Sequence, residues 1–452
     1  MAKVKQADAS NKAGIDAKLS MDQVLKKINK TYGDGTIARS SQARALSVPR
    51  LETGIFGIDY ATGGGWGIGR INGIYGLKSS GKTLVALKTI ATAQRYCRTH
   101  LIKMKETDKK LYRCLECGYQ GEKEGSLCPD CKEAGFESKL VDMGDKLLQC
   151  PECNKHDPMI SVFFDAEGTF ENYWASKMGV NCHYVFVIRT EYAEQAIDIS
   201  DTILRNGKCD LLVVDTLAHL IPTVEIEESA TRWQVGVQAR LINKMLRKIV
   251  SAQNTPNLES DTRPTALLLN QVRMKVGVLY GNPETKPGGM GQDFATSIDI
   301  RMWPGKYEKD ADGNTLNIVT NFRCVKNKIS PAQMDGNFRL WLRDYGNRTA
   351  GDTEDKAVVL GQAFKHGWLG NSKEGWGYLG NKFKTKKETI KFLLSNRDVY
   401  EELRTGLFSD MLGTIASDKD ALKVEETDAV DIGTVEEDLE DDILDEIEKE
   451  TE

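Results

Sequence analysis

Apolar and polar positions alternate in blocks along the chain. Strand-length apolar runs occupy 71–75, 162–165, 185–188, 211–215 and 266–271. Between them lie segments whose apolar residues recur at helical spacing: Ala193, Ala196, Ile197 and Ile203 in 193–204, and Val237, Leu241, Met245 and Ile249 in 235–250. A further helix is expected over 84–95. This alternation predicts an α/β core with a mostly parallel sheet covered on both faces. Ahead of it, 20–29 reads as a short capped helix with Val24, Leu25 and Ile28 together, ended near Tyr32, Gly33 and Gly35. Residues 1–18 are polar and are expected to be disordered.

Two interruptions stand out. Residues 97–158 are cysteine-rich, and 251–264 form a polar, proline-bearing loop. The pattern loosens over 343–355, and a Gly-, Trp- and Lys-rich stretch then runs to about residue 410. The expected organisation is a separate N-terminal element (1–45), an α/β core (46–345) holding the insert (97–158), a small C-terminal α+β domain (346–415) and an acidic tail (416–452).

A length of 452 residues suits two to four compact units at about 100–200 residues each. No apolar run approaches the roughly 18 residues that span a bilayer, so no membrane partner is expected. Nothing after Met1 resembles an apolar secretory segment, which points to a reducing cytoplasm. The net charge of −5 conceals an asymmetry: residues 424–452 hold fifteen Asp or Glu and one Lys, a local −14, which leaves +9 for the rest. A basic body suits a polyanion partner, and the tail is either a competitor for the same surface or a solvated run.

Gly76-Leu77-Lys78-Ser79-Ser80-Gly81-Lys82-Thr83 fits GxxxxGK[ST], after an apolar strand and before a helix that opens at Leu84. Backbone N–H groups of such a loop curl around phosphates, Lys82 neutralises β/γ oxygens, and Thr83 ligates Mg²⁺. Asp215 ends the strand 211–215, the position of a carboxylate that holds Mg²⁺ through water. Glu167 follows the strand 162–165 and is placed either to activate a water for ATP hydrolysis or to cap a helix.

Six of the ten cysteines form three CxxC pairs. Cys114, Cys117, Cys128 and Cys131 have the spacing and the Cys-Gly-Tyr and Cys-Pro-Asp-Cys flanks of a rubredoxin-like zinc ribbon, with zinc expected over iron. A metal would stand in for a core that about fifty residues hardly build. Cys150 and Cys153 need partners. Cys97-x2-His100 completes a second site, His156 is a nearer candidate ligand, and pairing Cys150 and Cys153 with Cys114 and Cys117 is the alternative. Two zinc ions are favoured over one. Cys182, Cys209 and Cys324 read as isolated buried residues.

These residues, together with Phe164-Asp165-Ala166-Glu167, Val213-Val214-Asp215-Thr216, Asn270-Gln271-Val272-Arg273-Met274-Lys275 followed by Gly281-Asn282-Pro283-Glu284-Thr285, and Val325-Lys326-Asn327-Lys328-Ile329, resemble the RecA family of homologous-recombination ATPases over about residues 20–400. The resemblance implies a DNA-dependent ATPase that forms filaments on single-stranded DNA, pairs with duplex DNA and exchanges strands in recombination, repair and the SOS response. By position, Glu167 resembles the catalytic base and Gln271 the amide that senses the γ-phosphate. Lys326 and Lys328 resemble lysines that reach the neighbouring protomer's ATP as an arginine finger does. Trp174 stands where the family stacks a tyrosine on adenine, although core packing explains a tryptophan there equally simply. Asp293-Phe294 departs from the family, which more often has a basic residue before the Phe.

The glycine-rich stretch 272–292 carries Arg273, Met274, Lys275, Lys286, Gly288 and Gly289, and 225–236 carries Arg232 and Trp233, with Arg240 just beyond. Both resemble the family's DNA loops, in which basic groups meet phosphates and no base edge is read. Lys382, Lys384, Lys386, Lys387 and Lys391 form either a gateway for duplex DNA or a solvated face. The insert does not come with the resemblance: a protruding knob that binds an unidentified protein or DNA and a passive insertion are both open. Competing readings are a RadA-like branch-migration motor, against which the internal position of the insert counts, and a non-hydrolysing DNA-coating scaffold, against which Glu167 counts.

Overall fold

The computed structural model describes residues 20–32, 37, 48–190, 192–227, 236–254, 263–274, 283–330, 334–346, 348–354, 356–370, 376–378 and 380–411. The chain divides into two compact units, Met1–Val48 and Pro49–Glu452. In the first, helix α1 (Met21–Tyr32) begins with Ser20 and Gln23 capping each other, the Ser20 amide donating to Gln23 Oε1 at 2.9 Å. The expected acidic tail and the residues before Ser20 lie outside the described residues.

The second unit is built on one nine-stranded sheet. Its strands in chain order are β1 (Ile71–Gly76), β2 (Ser161–Asp165), β3 (Val185–Ile188), β4 (Leu211–Asp215), β5 (Thr265–Gln271), β6 (Ile298–Lys309), β7 (Thr315–Asn327), β8 (Asp335–Trp341) and β9 (Thr353–Glu354). Their spatial order is β3-β2-β4-β5-β1-β6-β7-β8-β9. Neighbours from β3 to β6 run parallel, and those from β6 to β9 antiparallel.

Period-two alternation explains why the sheet is covered on both faces. Ile74, Phe163, Val213, Leu267 and Leu269 feed one apolar core, into which helix α2 (Lys82–Ala93) sends Val85, Ala86 and Ile90. Val162, Phe164, Leu212, Val214 and Leu268 feed the other, shared with α4 (Ala193–Arg205) and α5 (Val237–Asn254). The five expected strands and the three expected core helices are present within a few residues, which makes the α/β reading correct.

The antiparallel extension β6–β9 was not among the expected strands. Its inner residues, such as Met302, Ile318, Phe322, Phe338 and Leu340, are buried, but they alternate with polar residues and are broken by irregular register in the β6/β7 pair. After it come α7 (Lys356–Lys365), a short hairpin of Trp376–Tyr378 with Asn381–Phe383, α8 (Lys386–Ser395) and α9 (Arg397–Met411). They enclose their own apolar cluster, which Phe56 of the preceding core helix Phe56–Thr62 joins.

The insert leaves the core just after α2 and returns directly into β2. Two small antiparallel sheets form it, one pairing Lys105–Lys110 with Lys146–Gln149, the other ordering Gln120–Gly121, Tyr112–Cys114 and Leu140–Val141.

Candidate functional site

The parallel strands end at one edge of the sheet, and there the phosphate-loop residues gather. Gly76 closes β1 against β6, where a Cβ would collide with the Met302 carbonyl, so a larger residue would force the strands apart. The loop turns through Ser79 at φ 59 and Gly81 at φ 79 into the N-terminus of α2. Lys82 is buried and lays its ammonium on the loop, donating to the Leu77 carbonyl at 2.7 Å. Burial lowers its pKa, against the pull of Asp215 and Glu167.

Asp215 ends β4 almost fully buried, and Thr83 Oγ1 donates to its Oδ2 at 2.6 Å. Burial pushes this carboxyl up to about 6, with the Thr83 hydrogen bond opposing. The two oxygens lie together beneath the loop. One strand away, Glu167 directs Oε1 at the Gln271 amide, whose Nε2 donates at 3.0 Å, and at the Thr216 hydroxyl, which donates at 3.0 Å. The helix-capping alternative for Glu167 does not hold, because the cap of helix α3 (Asn172–Lys177) is Glu171, which accepts from the amides of Tyr173 and Trp174.

A cavity of about 430 Å³ joins Lys78, Ser79, Ser80, Gly81, Lys82, Thr83 and Leu84 to Glu167, Asp215 and Gln271. Thus residues at or just beyond the ends of β1, β2, β4 and β5, up to about 190 positions apart in sequence, meet around one space. The cavity also takes Tyr307, Ile318 and Leu342. Sequence reasoning missed these three because they come from the unpredicted antiparallel extension. Trp174 is not among the lining residues; it packs against the main apolar core.

Lys326 and Lys328 also stand away from this cavity. They donate to the backbone carbonyls of Asp293 and Phe294 on helix α6 (Gly291–Ala295), Lys328 at 3.0 Å. Burial and the neighbouring Lys328 lower the pKa of Lys326. Phe294 itself is 73% exposed.

Among the nucleic-acid candidates, Arg240, Arg273 and Met274 are exposed, the last two in a strand that pairs with Glu284–Thr285. Gly288 and Gly289 follow with φ of 91° and 72°. Lys286 is placed differently: it is largely buried, ion-paired at 2.5 Å with both Asp293 and Asp299, and its ammonium lies 3.9 Å from the Tyr75 ring centre. Arg232, Trp233 and Lys275 lie outside the described residues. Lys382, Lys386, Lys387 and Lys391 already engage other groups of the protein.

The cysteines sort into two sets of four. Cys114, Cys117, Cys128 and Cys131 are all buried, with all four Sγ atoms within 4.8 Å of one another and the 114–131, 117–128 and 117–131 pairs at 3.5, 3.6 and 3.8 Å. Cys97, His100, Cys150 and Cys153 form the other, with His100 Nδ1 3.5 Å from both Cys97 and Cys150 Sγ. His156 is not part of it, since Nδ1 faces the Leu148 carbonyl at 2.8 Å. Three half-sites share one turn: the amides of Gly118, Asn154 and Leu101 donate back to the carbonyls of Cys114, Cys150 and Cys97, each at 2.8 Å. Each of these donors has positive φ, at 73°, 55° and 56°. A leucine in that region is uncommon, so Cys97-x2-His100 has the backbone of a metal knuckle although its second ligand is a histidine. Cys182, expected to be isolated, instead packs against the first set, and its amide donates to the Cys117 carbonyl at 2.8 Å.

A family model described as the RecA N-terminal domain matches residues 19–109 and 146–344. The chain belongs to the RecA family. A Protein RecA of Teredinibacter turnerae is 30% identical over 397 residues, covering 87% of this chain and 94% of the relative. That of Rhodococcus jostii is 31% identical over 421 residues, covering 91% and 98%. The gap in the family match, 110–145, falls inside the cysteine insert and takes in all four residues of its first set. RecA-family proteins are DNA-dependent ATPases of recombination and repair, and this chain is an ATP hydrolase of that class. Among the described residues no helix is long and apolar enough to cross a membrane.

Proposed function

We propose that the protein assembles in the cytoplasm as a helical filament on single-stranded DNA, with ATP at the seam between neighbouring copies, and catalyses homologous pairing with duplex DNA and strand exchange. One observation carries this reading. Gln271 ends the strand that leads into the exposed Arg273–Met274 hairpin and simultaneously bonds Glu167 in the nucleotide cleft. A single amide therefore connects the hydrolytic carboxylate to the candidate DNA surface.

Gly76, Lys78, Ser79, Ser80, Gly81, Lys82, Thr83 and Leu84 hold the phosphates by backbone amides, the Lys82 ammonium and the helix terminus. Thr83 and Asp215 supply two hard oxygen donors a hydrogen bond apart, a set that suits Mg²⁺. The ion neutralises phosphate charge. Glu167 takes a proton from the attacking water, and Gln271 turns from Glu167 to the γ-phosphate, so hydrolysis releases the adjoining DNA loop. Tyr307, Ile318 and Leu342 give the cleft an apolar wall suited to a nucleobase. Lys326 and Lys328, being remote from their own chain's cleft, act across the seam on the neighbour's ATP. Exposed Phe294 beside them is an apolar contact for that seam.

Arg240, Arg273, Met274, Gly288 and Gly289 contact the DNA strand, joined by Arg232, Trp233 and Lys275. Lys286 takes part only if a phosphate displaces Asp293. The cysteine sets hold two zinc ions: tetrahedral zinc at about 2.3 Å from sulfur needs ligand atoms about 3.8 Å apart, close to the spacings found. Zinc here stabilises structure. Lys82→Ala tests the cleft: it should abolish both hydrolysis and ATP-stimulated DNA binding, and unchanged hydrolysis would refute the site.

A further inference from the structure

We infer that His219 is a positioning residue for hydrolysis, which fixes the Glu167 carboxylate once Gln271 has turned away. This rests on the reading of Glu167 as the base and of Gln271 as the γ-phosphate sensor.

His219 ends a short 3-10 turn, Leu217–His219, that follows directly on β4. Its Nδ1 lies 3.0 Å from Glu167 Oε1 and 3.1 Å from Thr216 Oγ1. A carboxylate oxygen only accepts, so beside it Nδ1 carries the hydrogen; the imidazole hydrogen-bonds Thr216 Oγ1 and stands at ion-pair distance from Glu167 Oε1. The Thr216 hydroxyl spends its own hydrogen on Glu167 Oε1 at 3.0 Å. His219, Thr216 and Glu167 thus close a small ring of contacts, and Gln271 is the second hydrogen-bond donor to the same oxygen.

The Thr216 and Gln271 donors and the His219 contact converge on Oε1, and among the described residues none of them reaches Oε2. One carboxylate oxygen is therefore anchored while the other remains to accept a proton from water. Glu167 and Thr216 line the cleft, whereas His219 is exposed and outside that lining, so the imidazole touches the base without bordering the cleft. The turn bearing it is itself fastened: Gln238 of α5 donates from Nε2 to the carbonyls of Ala218 at 2.9 Å and Leu220 at 3.2 Å. When Gln271 bonds a γ-phosphate oxygen, Oε1 loses one of its two hydrogen-bond donors and keeps the His219 contact. His219 and Thr216 then alone set the carboxylate's orientation.

The test uses the full chain with single-stranded DNA and compares His219→Ala, His219→Asn and Glu167→Gln. Losing the contact with the carboxylate and the hydrogen bond that braces Thr216 should lower kcat about tenfold in His219→Ala, with KM for ATP and ATP-analogue-dependent DNA binding unchanged. An asparagine amide reaches about as far as Nδ1, so His219→Asn should recover most of the rate. Unchanged kcat in His219→Ala overturns the inference, as does a parallel loss of DNA binding or thermal stability, or failure of the asparagine rescue. Glu167→Gln separates the two claims, because substantial hydrolysis in that variant would remove the base reading itself.

Discussion

The nucleotide cleft and the cysteine insert are held together in opposite ways. The cleft is a set of polar side chains mounted on strand ends whose other residues are buried in two large cores. Its geometry comes from the sheet, so losing one site residue should remove chemistry and leave the fold. In the insert, the apolar clusters consist mainly of the cysteines themselves, with Leu140 in one and Met104 in the other. There the candidate ligands are the core, and losing one should remove structure. The two also differ in charge. Residues 97–158 hold eleven Lys or Arg and twelve Asp or Glu, and several of the lysines and arginines are paired, as Lys103 is with Glu52 and Arg113 with Asp145. A near-neutral, internally paired surface is poorly suited to phosphate binding, which weighs against the DNA-contacting reading of the insert.

The sharpest way to break this contrast is Glu167→Gln. We expect kcat to fall by 100-fold or more, by the scale of general-base catalysis, with the melting temperature unmoved. A large drop in melting temperature would mean that the cleft carries structure after all.

The converse experiment removes metal. Chelation should melt the insert, visible as new hydrogen exchange across 104–155, and elemental analysis of the intact protein should give two zinc ions per chain. One zinc would leave Cys97, His100, Cys150 and Cys153 as a thiol cluster, and none would discard the metal reading. The effect should reach the core locally. The Cys117–Gly118 turn abuts Val180 and Asn181, where a Cβ on Gly118 would strike the Val180 carbonyl. Exchange should therefore also rise in 172–184, while the phosphate loop stays protected.

A smaller effect is expected where the sheet's antiparallel end is held by charge. Glu354 on β9 is buried, which alone would raise its pKa, but Arg348 and Arg339 overcome this and hold it below the usual glutamate range. Since the folded value is the lower one, the contribution is complete above about pH 4.5 and is lost as pH falls through the folded value. Glu354→Gln should cost about 3 kcal/mol at neutral pH and reduce the stability lost on acidification, measured by denaturant titration at several pH values. Least of all, removing residues 424–452 should tighten duplex binding a few-fold at moderate salt, and the gain should vanish at high salt. No change would make the tail a solvated run.

How much of this could be read from sequence follows the same division. The parallel strands were legible because burial on both faces leaves short continuous apolar runs such as Leu211 to Val214. The phosphate loop was legible because its chemistry is local. The antiparallel extension was hidden by polar residues at alternate positions of β6 and β7, and with it went Tyr307, Ile318 and Leu342 on the cleft wall. Lys286 looked like a DNA contact because its two carboxylate partners include Asp299, which is brought to it only by the fold. His219 carried no motif at all: its meaning arises from Glu167, fifty-two positions earlier in the chain. The cysteine spacing announced the knuckles and offered Cys97 and His100 as partners of Cys150 and Cys153, but setting aside His156 and the pairing with Cys114 and Cys117 took the folded positions of these side chains.

The coupling of nucleotide to DNA grip is tested most directly by electron microscopy of the full chain with single-stranded DNA. With a slowly hydrolysed ATP analogue, regular helical filaments should cover the DNA, and with ADP or with Lys82→Ala they should be absent. Isolated protomers, or the same DNA coating with and without nucleotide, would contradict the account.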